Sequence, residues 1–192
     1  MQQHTIGRRA VLNGAALALV GATLGARECR AQQVPNSTGS EQPMLKAPAN
    51  ACDCHMHIYD AERFAPLRPG SRLQTNAGVK EYQLLQKRIG TTRVVIVTPA
   101  VYVTDNRVTL DAIAQLGANA RGVAVIHPTV SDAELKTMEE GGIRGIRFTQ
   151  FDPATATTTI DMIEPLSRRI EPLGWHVQIH MRGDQIAEAA DL

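Results

Sequence analysis

Ala51-Cys52-Asp53-Cys54-His55-Met56-His57 opens a series of five short apolar runs that decides the fold. Arg93-Val94-Val95-Ile96-Val97-Thr98 is the second, rich in β-branched residues and stopped by Pro99. Gly122-Val123-Ala124-Val125-Ile126-His127 is the third, stopped by Pro128. Ile143-Arg144-Gly145-Ile146-Arg147-Phe148 and Trp175-His176-Val177-Gln178-Ile179-His180 complete the set. Runs this continuously apolar read as strands of a parallel sheet covered on both faces. Helical patterns separate them. Residues 79–89 have helical spacing and end before Gly90, and Thr104-Asp105-Asn106 precedes a helix that closes at Gly117. Ser131-Asp132-Ala133-Glu134 is a capping box for a helix that stops at Gly141-Gly142. Residues 160–170 form a fourth helix with Pro165 near its start, and a fifth begins at Gln185. Five β–α units in order predict an α/β chain, either a doubly wound sheet or a barrel.

Composition narrows the partners. The 192 residues are 43% hydrophobic, 20% charged and only 4% aromatic, which excludes a disordered chain and a nucleic-acid module built on stacking platforms. The formal charge of +1 is unevenly spread. Residues 1–31 hold Arg8, Arg9, Arg27 and Arg30 against Glu28, and the rest of the chain is weakly acidic. Such a body has no long-range attraction for nucleic acid or anionic membranes. Arg8-Arg9 followed by an apolar run from Ala10 to Ala26 reads as a twin-arginine-type signal over residues 1–31. That run is short for a membrane span. The expectation is export by the twin-arginine machinery to the periplasm, with no membrane span after cleavage. Residues 32–49 read as a flexible linker, and 50–192 as the folded domain. Cys29 leaves with the signal, and Cys52 and Cys54, two apart on one strand, are poorly placed for a disulfide.

The chemistry concentrates at strand ends. Residues two apart on a strand share a face. Asp53, His55 and His57 are therefore expected on one face, and Cys52, Cys54 and Met56 on the other, toward a helix. Paired imidazoles at the carboxyl end of a strand suit metal binding or proton transfer. His180 ends the fifth strand and is expected at the same mouth; His176, nearer the strand's start, is expected to be structural. His127 ends the third strand, either as a substrate-binding rim residue or as a plain stop before Pro128. Arg144 and Arg147 are three apart and face opposite ways. Arg147, nearer the carboxyl end, suits bidentate grip on a carboxylate or a lactone oxygen.

These residues resemble a family. Asp53-x-His55-x-His57 after a short leader resembles the first-strand signature of the amidohydrolase superfamily, in its family-2 branch. Thr109-Leu110-Asp111-Ala112-Ile113-Ala114, Gly141-Gly142-Ile143-Arg144-Gly145-Ile146-Arg147-Phe148 and Gly174-Trp175-His176-Val177 are similar to the 2-pyrone-4,6-dicarboxylate lactonase-like group. The resemblance implies a (β/α)8 TIM-barrel hydrolase acting on a lactone or similar cyclic carboxylic ester. It implies His55, His57 and Arg147 as catalytic residues; His180 is expected to join them by its place at the strand end, and Arg147 and the rim residue His127 are expected to contact a small-molecule carboxylate or lactone. It also implies either a divalent metal such as zinc on His55, His57 and His180, or metal-independent catalysis. A decarboxylase or lactone isomerase on the same barrel is the alternative. Barrels of this kind need about 250 residues, so the five units read as an N-terminal fragment. The family's base on the eighth strand and its sixth-strand histidine fall outside them, and an inactive truncated product is therefore a further expectation. Pro153 stands where the dicarboxylate lactonase has a basic residue, and His180 where it has a tyrosine.

Overall fold

The computed structural model describes residues 33–71, 77–152, 154 and 156–190. The signal expected over 1–31 lies outside the described residues, as does Pro153. Five strands form the sheet: β1 (Cys52–Met56), β2 (Arg93–Val97), β3 (Ala120–Ala124), β4 (Ile143–Thr149) and β5 (His176–His180). Each pairs in parallel with its neighbour in sequence, in the order β1-β2-β3-β4-β5. A doubly wound sheet reverses its strand order at a switch point, and this order never reverses. The winding is that of a (β/α)8 barrel, of which five βα units are present.

Helices α1 (Val79–Ile89), α2 (Arg107–Leu116), α3 (Asp132–Glu140), α4 (Ile163–Ile170) and α5 (Gly183–Glu188) follow the strands in turn. Local chemistry sets their ends. Ser131 Oγ accepts from Glu134 N at 3.2 Å, and Glu134 Oε2 accepts from Ser131 N at 2.7 Å, the reciprocal capping box the sequence predicts. Gly90 closes α1 at φ +80°, a conformation that side-chain-bearing residues rarely adopt. Pro165 sits in the first turn of α4, where its missing N–H costs no bond.

The core lies between the helices and one face of the sheet. Ile96, Ala120, Ile143, Ile146 and Phe148 point outward from the sheet and pack with Val108, Ile113, Leu135, Leu166 and Ile170 of the helices. Burial at this level contributes roughly 1.5–3 kcal/mol per large side chain. β3 ends at Ala124, earlier than the apolar run predicts. The cause is Asn106, whose amide takes both backbone groups of Val125: Nδ2 donates to its carbonyl at 2.9 Å, and Oδ1 accepts from its N–H at 2.9 Å. Thr98 Oγ1 also donates to Asn106 Oδ1 at 2.8 Å, so one buried amide ties the ends of β2 and β3 together.

Register breaks redirect side chains twice. On β1, Asp53 pairs with Val94 and Met56 with Ile96, so three residues oppose two. This bulge overturns the expected common face for Asp53, His55 and His57. Asp53 shares the face of Val94 and turns to the helix layer, where Tyr82 of α1 donates its hydroxyl to Asp53 Oδ2 at 3.2 Å. Cys52, paired with Arg93, lies on the opposite parity and turns to the inner face instead. On β4 a second break follows Ile143, after which Gly145, Arg147 and Thr149 face inward opposite His176, Gln178 and His180. Gly145 has no alternative there: a Cβ would lie 2.5 Å from Cε1 of His176.

Part of the expected linker is docked. Arg88 of α1 donates to the carbonyls of Gly39 (2.5 Å) and Thr38 (3.1 Å) and to Ser37 Oγ (3.1 Å). Among the described residues no helix is long and apolar enough to cross a membrane.

Candidate active site

The inner face opens at the carboxyl ends of the strands into a cavity of about 610 Å³ lined by His55, His57, Arg147, Gln178, Ile179 and His180. Four of the five residues singled out in sequence are thus brought together from β1 and the segment after it, β4 and β5. His127 is not. It is exposed on the rim after β3, and its Nδ1 lies 3.4 Å from Thr129 Oγ1. The structure gives it no contact with this cavity, so the substrate-binding role expected for it has no geometric support. His176 lies at the amino end of β5, with Nδ1 donating to the carbonyl of Arg144 at 2.8 Å. Arg144 turns to α3 and pairs with Glu139 at 3.0 Å.

Two hydrogen bonds polarise the site. Nδ1 of His57 lies 2.7 Å from the carbonyl of Val97, which can only accept, so Nδ1 carries the proton. The other nitrogen, Nε2, keeps a lone pair. Nη2 of Arg147 lies 3.3 Å from Nδ1 of His180. A guanidinium can only donate, so here Nδ1 keeps the lone pair and Nε2 carries the hydrogen. The two imidazoles are held in opposite tautomers, one an acceptor and the other a donor.

The electrostatics agree. Burial, with the charge of Arg147 beside it, pulls the pKa of His57 below the usual 6.5, despite the bond to Val97. His55 is lowered for the same two reasons, burial first. Both imidazoles are neutral at pH 7. The rings of His55 and His57 meet edge to face, with centroids 5.1 Å apart. Arg147 is only 8% exposed, and burial lowers its pKa also. Among the described residues no carboxylate pairs with it. A buried cation without an anion is costly unless a ligand supplies one.

Two aromatic residues missed in the sequence contact the histidines of the site. Phe151, just after β4, stacks on His180 with ring centroids 5.5 Å apart and planes 10° from parallel. Its backbone is held by Arg182 Nη1, which donates to the Phe151 carbonyl at 2.9 Å. Tyr59 sets its ring edge-on to His57 at 6.1 Å. Neither belongs to a periodic pattern; an aromatic within three residues of a strand's carboxyl end was the only signal. As for a metal, His57 has the tautomer of a ligand whose second nitrogen is tied down. His180 does not, because Arg147 donates to it. No group of three His, Cys, Asp or Glu among the described residues could hold an ion. A catalytic zinc takes three protein ligands, so these residues alone do not fit one.

Comparison with known proteins places this geometry. The amidohydrolase family profile matches residues 52–192. A 2-pyrone-4,6-dicarboxylate hydrolase from Comamonas testosteroni is 34% identical over 152 residues, 78% of this chain and 50% of that protein. A 4-sulfomuconolactone hydrolase from Rhizobium radiobacter is 28% identical over 76% of this chain and 49% of its own length. A solved apo structure from Agrobacterium tumefaciens superposes with a TM-score of 0.69 at 23% identity, covering 77% of this chain and 52% of that one. The chain spans about half the length of the curated relatives it matches.

Proposed function

The chain belongs to the amidohydrolase family, and we propose from that premise that it serves the hydrolysis of a lactone or similar cyclic carboxylic ester bearing a free carboxylate. One observation carries the reading: Arg147, buried at the cavity floor without a carboxylate partner among the described residues, beside two neutral imidazoles. The substrate's carboxylate supplies the missing anion, in the bidentate geometry a guanidinium favours.

The roles follow from the hydrogen bonds. Neutral His57 offers the Nε2 lone pair to a water and orients it toward the ring carbonyl. His180 offers an Nε2–H to the carbonyl oxygen and strengthens that bond as negative charge develops there. His55 lies against His57 and keeps the water side of the cavity polar. Phe151 holds the His180 ring by stacking. A divalent metal, where bound by such a family site, would polarise the carbonyl and acidify water.

The test is acid release from a panel of carboxylated lactones, followed at constant pH, with and without chelator. Stoichiometric uptake of base with ring opening supports the reading. Ring migration without acid release, or carbon dioxide release, would favour the isomerase or decarboxylase. We further propose twin-arginine export to the periplasm, supported by Arg8-Arg9 and the apolar run behind them. Fusion of residues 1–31 to a reporter that fluoresces only when exported folded, with Arg8→Lys/Arg9→Lys as the control, tests it.

A further inference from the structure

The segment expected to be a flexible linker carries one buried side chain. Over residues 33–50 every residue is exposed or half-buried except Val34, which is 4% exposed. The turn behind it is tight. Ser37 donates twice to the Val34 carbonyl, from its backbone N at 3.3 Å and from Oγ at 2.9 Å. Asn36 and Gly39 take positive φ, +59° and +69°, and let the chain fold back. Arg88, in the last turn of α1, then donates to three successive residues, at the carbonyls of Gly39 and Thr38 and at Ser37 Oγ. A basic side chain at that place ordinarily serves the last carbonyls of its own helix. This one turns to another segment. The fixed fork of a guanidinium loses little freedom per bond, so three acceptors around one arginine make a specific clamp.

The clamped turn lies beside the site. Pro35 and Asn36, between the Val34 anchor and the residues that Arg88 holds, line a second cavity of about 120 Å³ together with Met56, His57 and Tyr82. It shares only His57 with the cavity that contains Arg147. His57 stands one residue past the end of β1, and its bond to Val97 alone leaves the ring free to tilt about that contact. A reacting side chain keeps its direction only where its sides are packed. His55 and Tyr59 meet the ring edge-on, and Pro35 and Asn36 stand on its α1 side. We propose that residues 34–39 are a strap, clamped by Arg88, that closes the α1 side of His57 and fixes the direction in which its Nε2 meets the attacking water. Arg88 is thereby a positioning residue, and the inference rests on the role given to His57 above. Neither Val34 nor Arg88 lines the cavity of Arg147, so substrate binding does not depend on them. The rate does, because a displacement of about 1 Å in a reacting group costs on the order of 100-fold.

The experiment compares the full chain with Arg88→Met, which keeps the side chain's length and removes the clamp. Thermolysin is expected to cut before Val34 at least about tenfold faster in the variant, since cleavage follows local opening. In chains carrying isotope-labelled histidine, the His57 ring signals, assigned by their loss in His57→Gln, should shift or broaden while those of His176 stay in place. On the lactone of the panel above that is hydrolysed fastest, kcat should fall at least about tenfold with KM within about threefold, the mark of a lost transition-state alignment. Unchanged His57 signals, or an unchanged kcat, in a variant whose strap is cut faster overturn the positioning role. An unchanged cutting rate overturns the clamp. Where the unaltered chain hydrolyses no lactone, the hydrolytic reading fails and the ring signals decide on the strap. If Arg88→Met fails to fold by circular dichroism, Val34→Ser withdraws the anchor instead and is read in the same way. Hydrogen exchange tests the strap without a variant: the Ser37 amide is expected to exchange at least about tenfold more slowly than in an unstructured peptide. Exchange at the unstructured rate overturns the strap.

Discussion

Nη2 of Arg147 lies 3.3 Å from Nδ1 of His180, and the chemistry of arginine fixes the direction of that bond. The pair joins β4 to β5 across neighbouring strands and determines which nitrogen of His180 faces the cavity. Arg147→Met keeps the side chain's apolar length and removes the cation. A carboxylated ligand is expected to bind it at least about 30-fold more weakly, on the order of 2 kcal/mol. Stability should hold or rise, because an unpaired buried charge is removed. Urea unfolding of both proteins, run beside ligand titration, checks the two effects together.

The stability of the domain should fall as pH drops through the titration of His55 and His57. Their folded pKa values lie below the unfolded value of 6.5, so below that pH the unfolded chain binds more protons than the native one. Stability is therefore complete above pH 6.5 and is lost progressively beneath it. Asp105 and Asp111, lowered by Arg107 and Arg63, add a second loss starting only near pH 4. Unfolding curves between pH 5 and 7.5 separate the two, and His57→Gln should flatten the upper limb.

Asp53 is a structural residue despite its place in the signature. Asp53→Ala leaves the Tyr82 hydroxyl without its acceptor at 3.2 Å and should cost about 1–3 kcal/mol. Ligand affinity at Arg147 should stay within a few-fold of the unaltered chain. A selective loss of affinity with unchanged stability would place Asp53 in the site instead.

Gly145→Ala should destabilise by about 1–3 kcal/mol through overpacking, since the new methyl would meet the His176 ring at 2.5 Å. Adding His176→Ala removes the obstacle. The double variant should recover most of that loss, a coupling readable in a double-mutant cycle.

Most of the fold was legible because parallel strands and capped helices are local statements. The apolar runs at 93–97 and 143–149 and the Ser131–Glu134 box carry their structure in their own residues. Periodicity alone left the winding open, since five βα units fit a barrel or a doubly wound sheet; the family resemblance pointed to the barrel, and the pairing order bears it out. The end of β3 was misplaced because a distant amide, Asn106, caps Val125. The site was half legible. Parity along β1 predicted a shared face for Asp53, His55 and His57, and one inserted residue moved Asp53 to the other side of the sheet. Periodicity cannot register a bulge. Phe151 escaped because its role comes from stacking on a residue 29 positions away.

Phe151→Ala tests that stacking. His180 should lose orientation while keeping its bond to Arg147, so its imidazole resonances broaden or split in NMR spectra. The cost in stability should be small, since the ring is about half exposed.

The most direct measurement is calorimetric titration of the protein with a carboxylated lactone and with its methyl ester, repeated on Arg147→Met. The acid is expected to bind at least tenfold more tightly than the ester, with no preference once the guanidinium is gone. Equal binding of acid and ester by the unaltered protein, or a preference that survives Arg147→Met, would contradict Arg147 as the carboxylate anchor.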